Sequence, residues 1–133
     1  MGKMSVIVPV YNEEKAIRQT LDELLPLTEQ HGWQLIVVND GSEDGTGDIL
    51  DSYGDRLRVV CHPHNCGYGA ALKSGIRSAD TELLAIYDSD GQHRPEDLLA
   101  LYEEAGDVDM VIGERAPGSR VDVFRVPGKW FLT

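Results

Sequence analysis

Short apolar runs rich in β-branched residues recur at 5–10, 34–39, 57–61, 83–88 and 109–113, and runs of that length bounded by polar residues predict about five buried strands. Between them, 13–25, 46–53, 69–79 and 95–105 carry apolar residues at helical spacing; in the first, Ala16, Ile17, Leu21, Leu24 and Leu25 share one face. Strands alternating with helices imply a mostly parallel sheet with crossover helices. The helix starts agree. Asn12 is placed to cap a first turn holding Glu13 and Glu14, and Pro95 occupies a first helical position followed by Glu96 and Asp97. Each strand then ends in a polar loop that leads to a helix, and in open α/β sheets that carboxyl edge is where ligands bind.

Composition narrows the function classes. A chain of 133 residues has room for one domain with its own core, and we expect a single domain over 1–133. Lys plus Arg number 12 against 23 Asp plus Glu, a net charge of −11, which argues against holding nucleic acid by neutralising its phosphates. No stretch approaches the ~18 unbroken apolar residues of a membrane helix. Met1-Gly2-Lys3-Met4-Ser5 runs into the first strand with no apolar signal core, and two cysteines make no disulfide framework, so a cytoplasmic location is expected. The charge is uneven, however. Between Arg115 and Thr133, Arg115, Arg120, Arg125 and Lys129 face only Asp122. The chain closes on Lys129-Trp130-Phe131-Leu132-Thr133, which reads like the start of a further element, and a domain incomplete at its C-terminus is expected.

Four segments carry candidate chemistry. In Asp88-Ser89-Asp90-Gly91-Gln92, residues i and i+2 at a strand end point the same way, so Asp88 and Asp90 can converge on one ligand. Two such carboxylates repel unless a cation lies between them, and a hard divalent ion, Mg²⁺ or Mn²⁺, suits their oxygens, with Gln92 as a third donor. The competing readings are a solvated acidic turn and a resemblance to haloacid dehalogenase phosphatases, against which Gln92 stands where Thr or Val is preferred. Val38-Asn39-Asp40-Gly41-Ser42-Glu43-Asp44-Gly45-Thr46 can be read as a calcium loop. Gly47 and Asp51 sit poorly in that pattern. The preferred reading is a strand-end loop whose Asp40 accepts hydrogen bonds from a nucleobase edge or ribose, with Gly41 permitting close approach.

Asn65-Cys66-Gly67-Tyr68-Gly69-Ala70-Ala71-Leu72-Lys73 begins like a dinucleotide fingerprint but has Leu72 in place of the third glycine, which argues against NAD binding. Its glycines allow a helix start to pack near a ligand, with Lys73 either snorkelling to solvent or reaching a phosphate. Cys61-His62-Pro63-His64-Asn65-Cys66 suggests zinc, yet ligands crowded into six residues around a proline can hardly wrap one tetrahedral ion. A buried Cys61 and a loop of exposed histidines are expected instead.

Taken in order, Val6-Ile7-Val8-Pro9-Val10-Tyr11-Asn12-Glu13-Glu14, Asn39-Asp40-Gly41-Ser42, Asn65-x-Gly67-x-Gly69-Ala70-Ala71 and Asp88-Ser89-Asp90-Gly91-Gln92-His93-Arg94-Pro95 resemble family 2 glycosyltransferases, in the branch similar to dolichol-phosphate mannosyltransferase and bacterial polyprenyl-phosphate sugar transferases. The resemblance implies a GT-A type, Rossmann-like α/β fold that binds a nucleotide-sugar through a divalent metal and transfers the sugar with inversion to a polyprenyl or dolichyl phosphate. Carried over by position, Pro9, Tyr11, Glu13, Asn39 and Asp40 line the nucleoside pocket, although Asn39 stands where Asp is more usual. Lys73, Asp88, Ser89, Arg115 and Arg125 also contact the donor. Asp88, Asp90 and Gln92 hold the metal, and Asp90 with Arg115 act in catalysis. Peripheral contact with a membrane carrying the lipid phosphate is compatible with this reading. The alternative is a non-catalytic nucleotide-sugar-binding or regulatory module of a larger membrane protein.

Overall fold

A computed structural model describes residues 3–89, 94–105, 110–114 and 120–125. The strands among them are β1 (Met4–Val10), β2 (Gln34–Asn39), β3 (Arg58–Cys61), β4 (Leu83–Ile86), β5 (Met110–Glu114) and β6 (Arg120–Arg125). The helices are α1 (Ile17–His31), α2 (Thr46–Asp51), α3 (Tyr68–Ser78) and α4 (Pro95–Glu104). The strands form one sheet in the order β3-β2-β1-β4-β6-β5. The first four are mutually parallel, whereas β6 runs antiparallel to both β4 and β5.

β1 is buried at every position because both faces of the sheet are covered, which is why its sequence is a continuous apolar run rather than an alternation. Val6, Val8, Leu35 and Val37 pack on α1, α2 and α4. On the other face Ile7, Ile36, Val38 and Leu84 pack with Ala71 of α3. Within α3, Gly75 presses on β1: a Cβ built there would stand 2.5 Å from Ile7 Cγ2 and 3.2 Å from Val38 Cγ2.

The structure departs from the pattern of the sequence in three places. A sixth strand, β6, lies within the Pro- and Gly-bearing stretch 115–133, where no strand was expected, and it adds an antiparallel part to the mostly parallel sheet. The first helix begins at Ile17 rather than at Glu13, because Asn12 adopts φ +51° and its side chain and that of Glu14 are engaged elsewhere. That helix also runs through Pro26 to His31. An interior proline costs about 3 kcal/mol, but burial of Leu24 and Leu25 beside it, with Thr28 beyond, stabilises by roughly 1.5–3 kcal/mol for each leucine. Packing therefore wins, and α1 stops only at Gly32, in the left-handed region at φ +68°, where the Trp33 N–H reaches the Thr28 carbonyl at 2.9 Å.

Gly75→Ala should be destabilising by about 1–3 kcal/mol through overpacking, even though alanine gains about 1 kcal/mol of helix propensity. Urea unfolding measures it; an unchanged or raised midpoint would mean that α3 is not seated on Ile7.

Candidate functional site

The four parallel strands end at one edge of the sheet, and the order β2-β1-β4 makes the gap beside β1 the point where the winding reverses, the usual position of a ligand crevice. A cleft of about 370 Å³ opens there, within the range of small-molecule sites. It is lined from all four strand ends: Pro9 and Val10 at the end of β1 with Tyr11 and Glu13 beyond it, Asp40 after β2, Asn65 and Gly67 after β3 with Tyr68 and Ala71 of α3, and Asp88 and Ser89 after β4.

The loops after β1 and β2 are clasped together. Ser42 Oγ accepts the Asn12 N–H at 2.9 Å, Thr46 Oγ1 accepts the Glu13 N–H at 3.0 Å, and Asp44 Oδ2 accepts the Glu14 N–H at 3.2 Å. In return Asn12 Oδ1 accepts the Glu43 N–H at 2.8 Å, and Glu14 Oε2 accepts the Gly45 N–H at 2.8 Å. The oxygens of Ser42 and Asp44 that a calcium loop would turn inward are thus taken by backbone donors. The same bonds occupy Asn12, which is why it does not cap α1.

Asp40, 4% exposed, holds the loop after β3. Its Oδ1 takes the His62 Nδ1 hydrogen at 2.7 Å and the Cys66 N–H at 2.9 Å, and Oδ2 takes the Gly67 N–H at 3.0 Å. Since the carboxylate can only accept, the neutral His62 imidazole carries its proton on Nδ1, and the Ser74 hydroxyl then donates to Nε2 at 2.8 Å. Burial pushes the Asp40 carboxyl up, but the bonds from His62, Cys66 and Gly67 together outweigh it and hold it below the ordinary carboxylate value. Gly41, at φ +73°, approaches protein rather than ligand: a Cβ there would fall 2.3 Å from the His64 carbonyl carbon. The loop after β3 also differs from its expected form. Cys61 is exposed, and His62 is largely covered and bonded at both ring nitrogens.

The model of glycosyl transferase family 2 matches residues 5–132. The chain belongs to that family. It is 36% identical over 111 residues to a dolichyl-phosphate beta-glucosyltransferase of Trichomonas vaginalis, covering 76% of this chain and 34% of the relative. It is 32% identical over 121 residues to the dodecaprenyl-phosphate galacturonate synthase of Rhizobium johnstonii, covering 85% and 36%. The chain therefore spans about a third of the length of these curated relatives. Among solved structures, glucosyl-3-phosphoglycerate synthase of Mycobacterium tuberculosis, in complex with Mn²⁺, UDP and phosphoglyceric acid, superposes with a TM-score of 0.74 at 27% identity over 87% of this chain and 44% of its own. The fold is of GT-A type.

Of the site residues that the family resemblance implies, the cleft of this family 2 glycosyltransferase chain brings together Pro9, Tyr11, Glu13, Asp40, Asp88 and Ser89. Asn39 does not line it; its Oδ1 accepts the Ser42 N–H at 3.1 Å and shapes the loop instead. Lys73 is exposed on α3, outside the lining. Arg125 pairs with Leu83 at the amino end of β4, so its backbone lies at the edge of the sheet away from Asp88. β5 runs toward the carboxyl edge and ends at Glu114, opposite Arg120; the backbone register thus places Arg120, rather than Arg125, near the level of Asp88. Asp90, Gln92 and Arg115 lie outside the described residues.

Sequence reasoning missed Asn65 and Tyr68 as lining residues, although the Asn-x-Gly-x-Gly pattern marked their loop and placed its glycines near a ligand. Tyr68 is 57% exposed and donates its hydroxyl to Asp88 Oδ1 at 3.2 Å. Ser89 turns inward, its Oγ donating to the Pro9 carbonyl at 3.1 Å, and this fixes the direction of the peptide that follows Asp88. The part of the acidic motif that is described fits a hard cation: Asp88 is half-buried on the cleft and offers carboxylate oxygens alone.

The lowered Asp40 carboxyl has a consequence for acid stability. The stabilisation is complete above the unfolded carboxylate value, about pH 4, and is lost as pH falls through the lower folded value. Urea unfolding from pH 7 down to about pH 2 should show this loss in the parent chain. Asp40→Asn should be less stable at neutral pH and show a shallower acid limb; parallel limbs in the two proteins would exclude Asp40 as a contributor.

Proposed function

We propose that this chain forms the donor-binding part of an inverting hexosyltransferase. It binds a nucleotide-sugar, GDP-mannose or a UDP-hexose, with Mg²⁺ or Mn²⁺ as cofactor, and the acceptor is a polyprenyl or dolichyl phosphate. The observation that carries this reading is the cleft in which Asp40, buried and fixed from three sides, and Asp88, half-buried on an exposed tyrosine, belong to the loops on either side of β1 at one sheet edge. The T. vaginalis and R. johnstonii relatives carry lipid-phosphate acceptors in their names, and the M. tuberculosis structure contains Mn²⁺ with UDP; both favour the same assignment.

In this reading Pro9, Tyr11, Glu13 and Asp40 bind the nucleoside. A free lone pair on the Asp40 carboxylate accepts a base or ribose hydrogen, and its direction is set in advance by the Cys66 and Gly67 amides. Asp88, Asp90 and Gln92 hold the metal, which when bound offsets the negative charge of the diphosphate and stabilises it as leaving group. Tyr68 and Ser89 orient the Asp88 peptide and side chain. Arg115 completes the clamp on the departing charge. A lipid phosphate is already largely anionic near neutral pH, so attack on the sugar requires no protein base. Among the described residues no helix is long and apolar enough to cross a membrane, and contact with the lipid acceptor would be peripheral.

Calorimetric titration of GDP-mannose, UDP-glucose and UDP-N-acetylglucosamine with and without Mn²⁺ tests the proposal. One donor should bind, and Mn²⁺ should tighten it by about tenfold or more; equal affinity in both conditions, or none for any nucleotide, counts against it. Asp90→Asn should abolish the Mn²⁺-dependent gain while leaving the unfolding midpoint within about 0.5 kcal/mol of the parent. Full retention of the gain would remove Asp90 from the metal site.

A further inference from the structure

The segment Cys61 to Cys66 argues against a metal when read alone, because its ligands crowd into one short stretch. The fold removes that objection by bringing in Asp40 from the loop after β2. A ring nitrogen of His62, the Cys66 sulfur and a carboxylate oxygen of Asp40 all lie within 4.8 Å of one another. Bonds of about 2.0–2.3 Å from a tetrahedral zinc ion to N, O and S ligands set those atoms roughly 3.3–3.8 Å apart, so side-chain adjustments on the order of 1 Å close the set.

The supporting contacts are in place. The Cys66 and Gly67 amides already aim the Asp40 carboxylate, and Ser74 holds the far nitrogen of His62 at 2.8 Å. A second partner on the far ring nitrogen is what orients a metal-bound histidine.

We propose that Asp40, His62 and Cys66 form a second cation site, distinct from the acidic loop after β4, that takes a borderline-soft divalent ion of the zinc type. Donor chemistry separates the two sites. A carboxylate, an imidazole and a thiolate favour Zn²⁺ or Co²⁺, whereas an all-oxygen set suits Mg²⁺ or Mn²⁺. The protons balance as follows. His62 moves its hydrogen from Nδ1 to Nε2, and Ser74 turns from donor to acceptor, so Nδ1 offers a lone pair with no net release. The Cys66 thiol loses its proton to solvent, and thiolate and carboxylate together neutralise the ion. Three protein ligands leave a fourth position for water.

The site shares Asp40 with the cleft, and Asn65 and Gly67 of the same loop line it. An ion on Asp40 takes the carboxylate lone pair that the nucleoside would use. Zinc and donor are therefore antagonists, a consequence that rests on the function proposed above.

The test is titration of the chain with Co²⁺ as a spectroscopic probe and with Zn²⁺ as competitor. Expected are a sulfur-to-cobalt charge-transfer band that saturates at one equivalent, release of one proton per ion, and bleaching by Zn²⁺. Cys66→Ser and His62→Gln should each lose the band, and Cys61→Ser should keep it. No band in the parent chain, or a band that survives Cys66→Ser, overturns the site. Saturating Zn²⁺ should raise the donor dissociation constant by about tenfold or more, and Cys66→Ser should remove that effect. A band with unchanged donor affinity overturns the antagonism. Failure of every nucleotide to bind speaks against the proposed function, and the cobalt band decides the metal site independently.

Discussion

The buried carboxylate of Asp40 is the constraint on which the cleft depends. Its backbone N–H bonds the Val10 carbonyl at 2.9 Å, and its side chain holds His62 and the amides of Cys66 and Gly67. One residue thereby fixes three loops relative to one another. An ionised group buried this deeply is tolerable because three donors meet its oxygens. Those donors also decide where its remaining lone pairs face. The charge that would be a liability in a core becomes a directed acceptor at the rim of the sheet.

The clasp between the loops after β1 and β2 extends the same logic. Five hydrogen bonds run between them, each pairing a side-chain oxygen with a backbone N–H of the other loop. Four of them are exposed and the Glu13–Thr46 bond is part-buried; such bonds contribute roughly 0.5–1.5 kcal/mol each, so their value lies less in stability than in register. They hold Tyr11 and Glu13 on one side of the cleft while the loop after β3 closes the other. Binding can then proceed without ordering either loop, which lowers its entropic cost.

The acidic character of the chain shapes its ligand chemistry. In the proposed function, a net charge of −11 would repel a free diphosphate, and the cation that Asp88 would help to hold is the means of reversing that sign locally. β6 runs antiparallel to its neighbours. Its direction sets the backbone of Arg120 toward the carboxyl edge of the sheet and that of Arg125 toward the amino edge.

The strand at 34–39, most of the strand expected at 83–88 and the helix start at Pro95 were legible in the sequence, because each is set by local periodicity or by a missing N–H. The family resemblance implied the grouping of Pro9, Tyr11, Glu13, Asp40 and Asp88, and parallel strands ending at one edge account for it. Other features depended on partners distant along the chain. The sixth strand exists through pairing with β4 and β5. Asn12 binds Glu43 instead of capping its own helix. Pro26 stays helical because Leu24 and Leu25 are buried, and His62 is held by Asp40 and Ser74. Sequence by itself determined the elements and the edge at which chemistry gathers, since those rest on neighbours along the chain. Tertiary structure alone decided which polar side chains were consumed in holding loops and which still faced the cleft, because a hydrogen bond between residues thirty positions apart leaves no periodic trace.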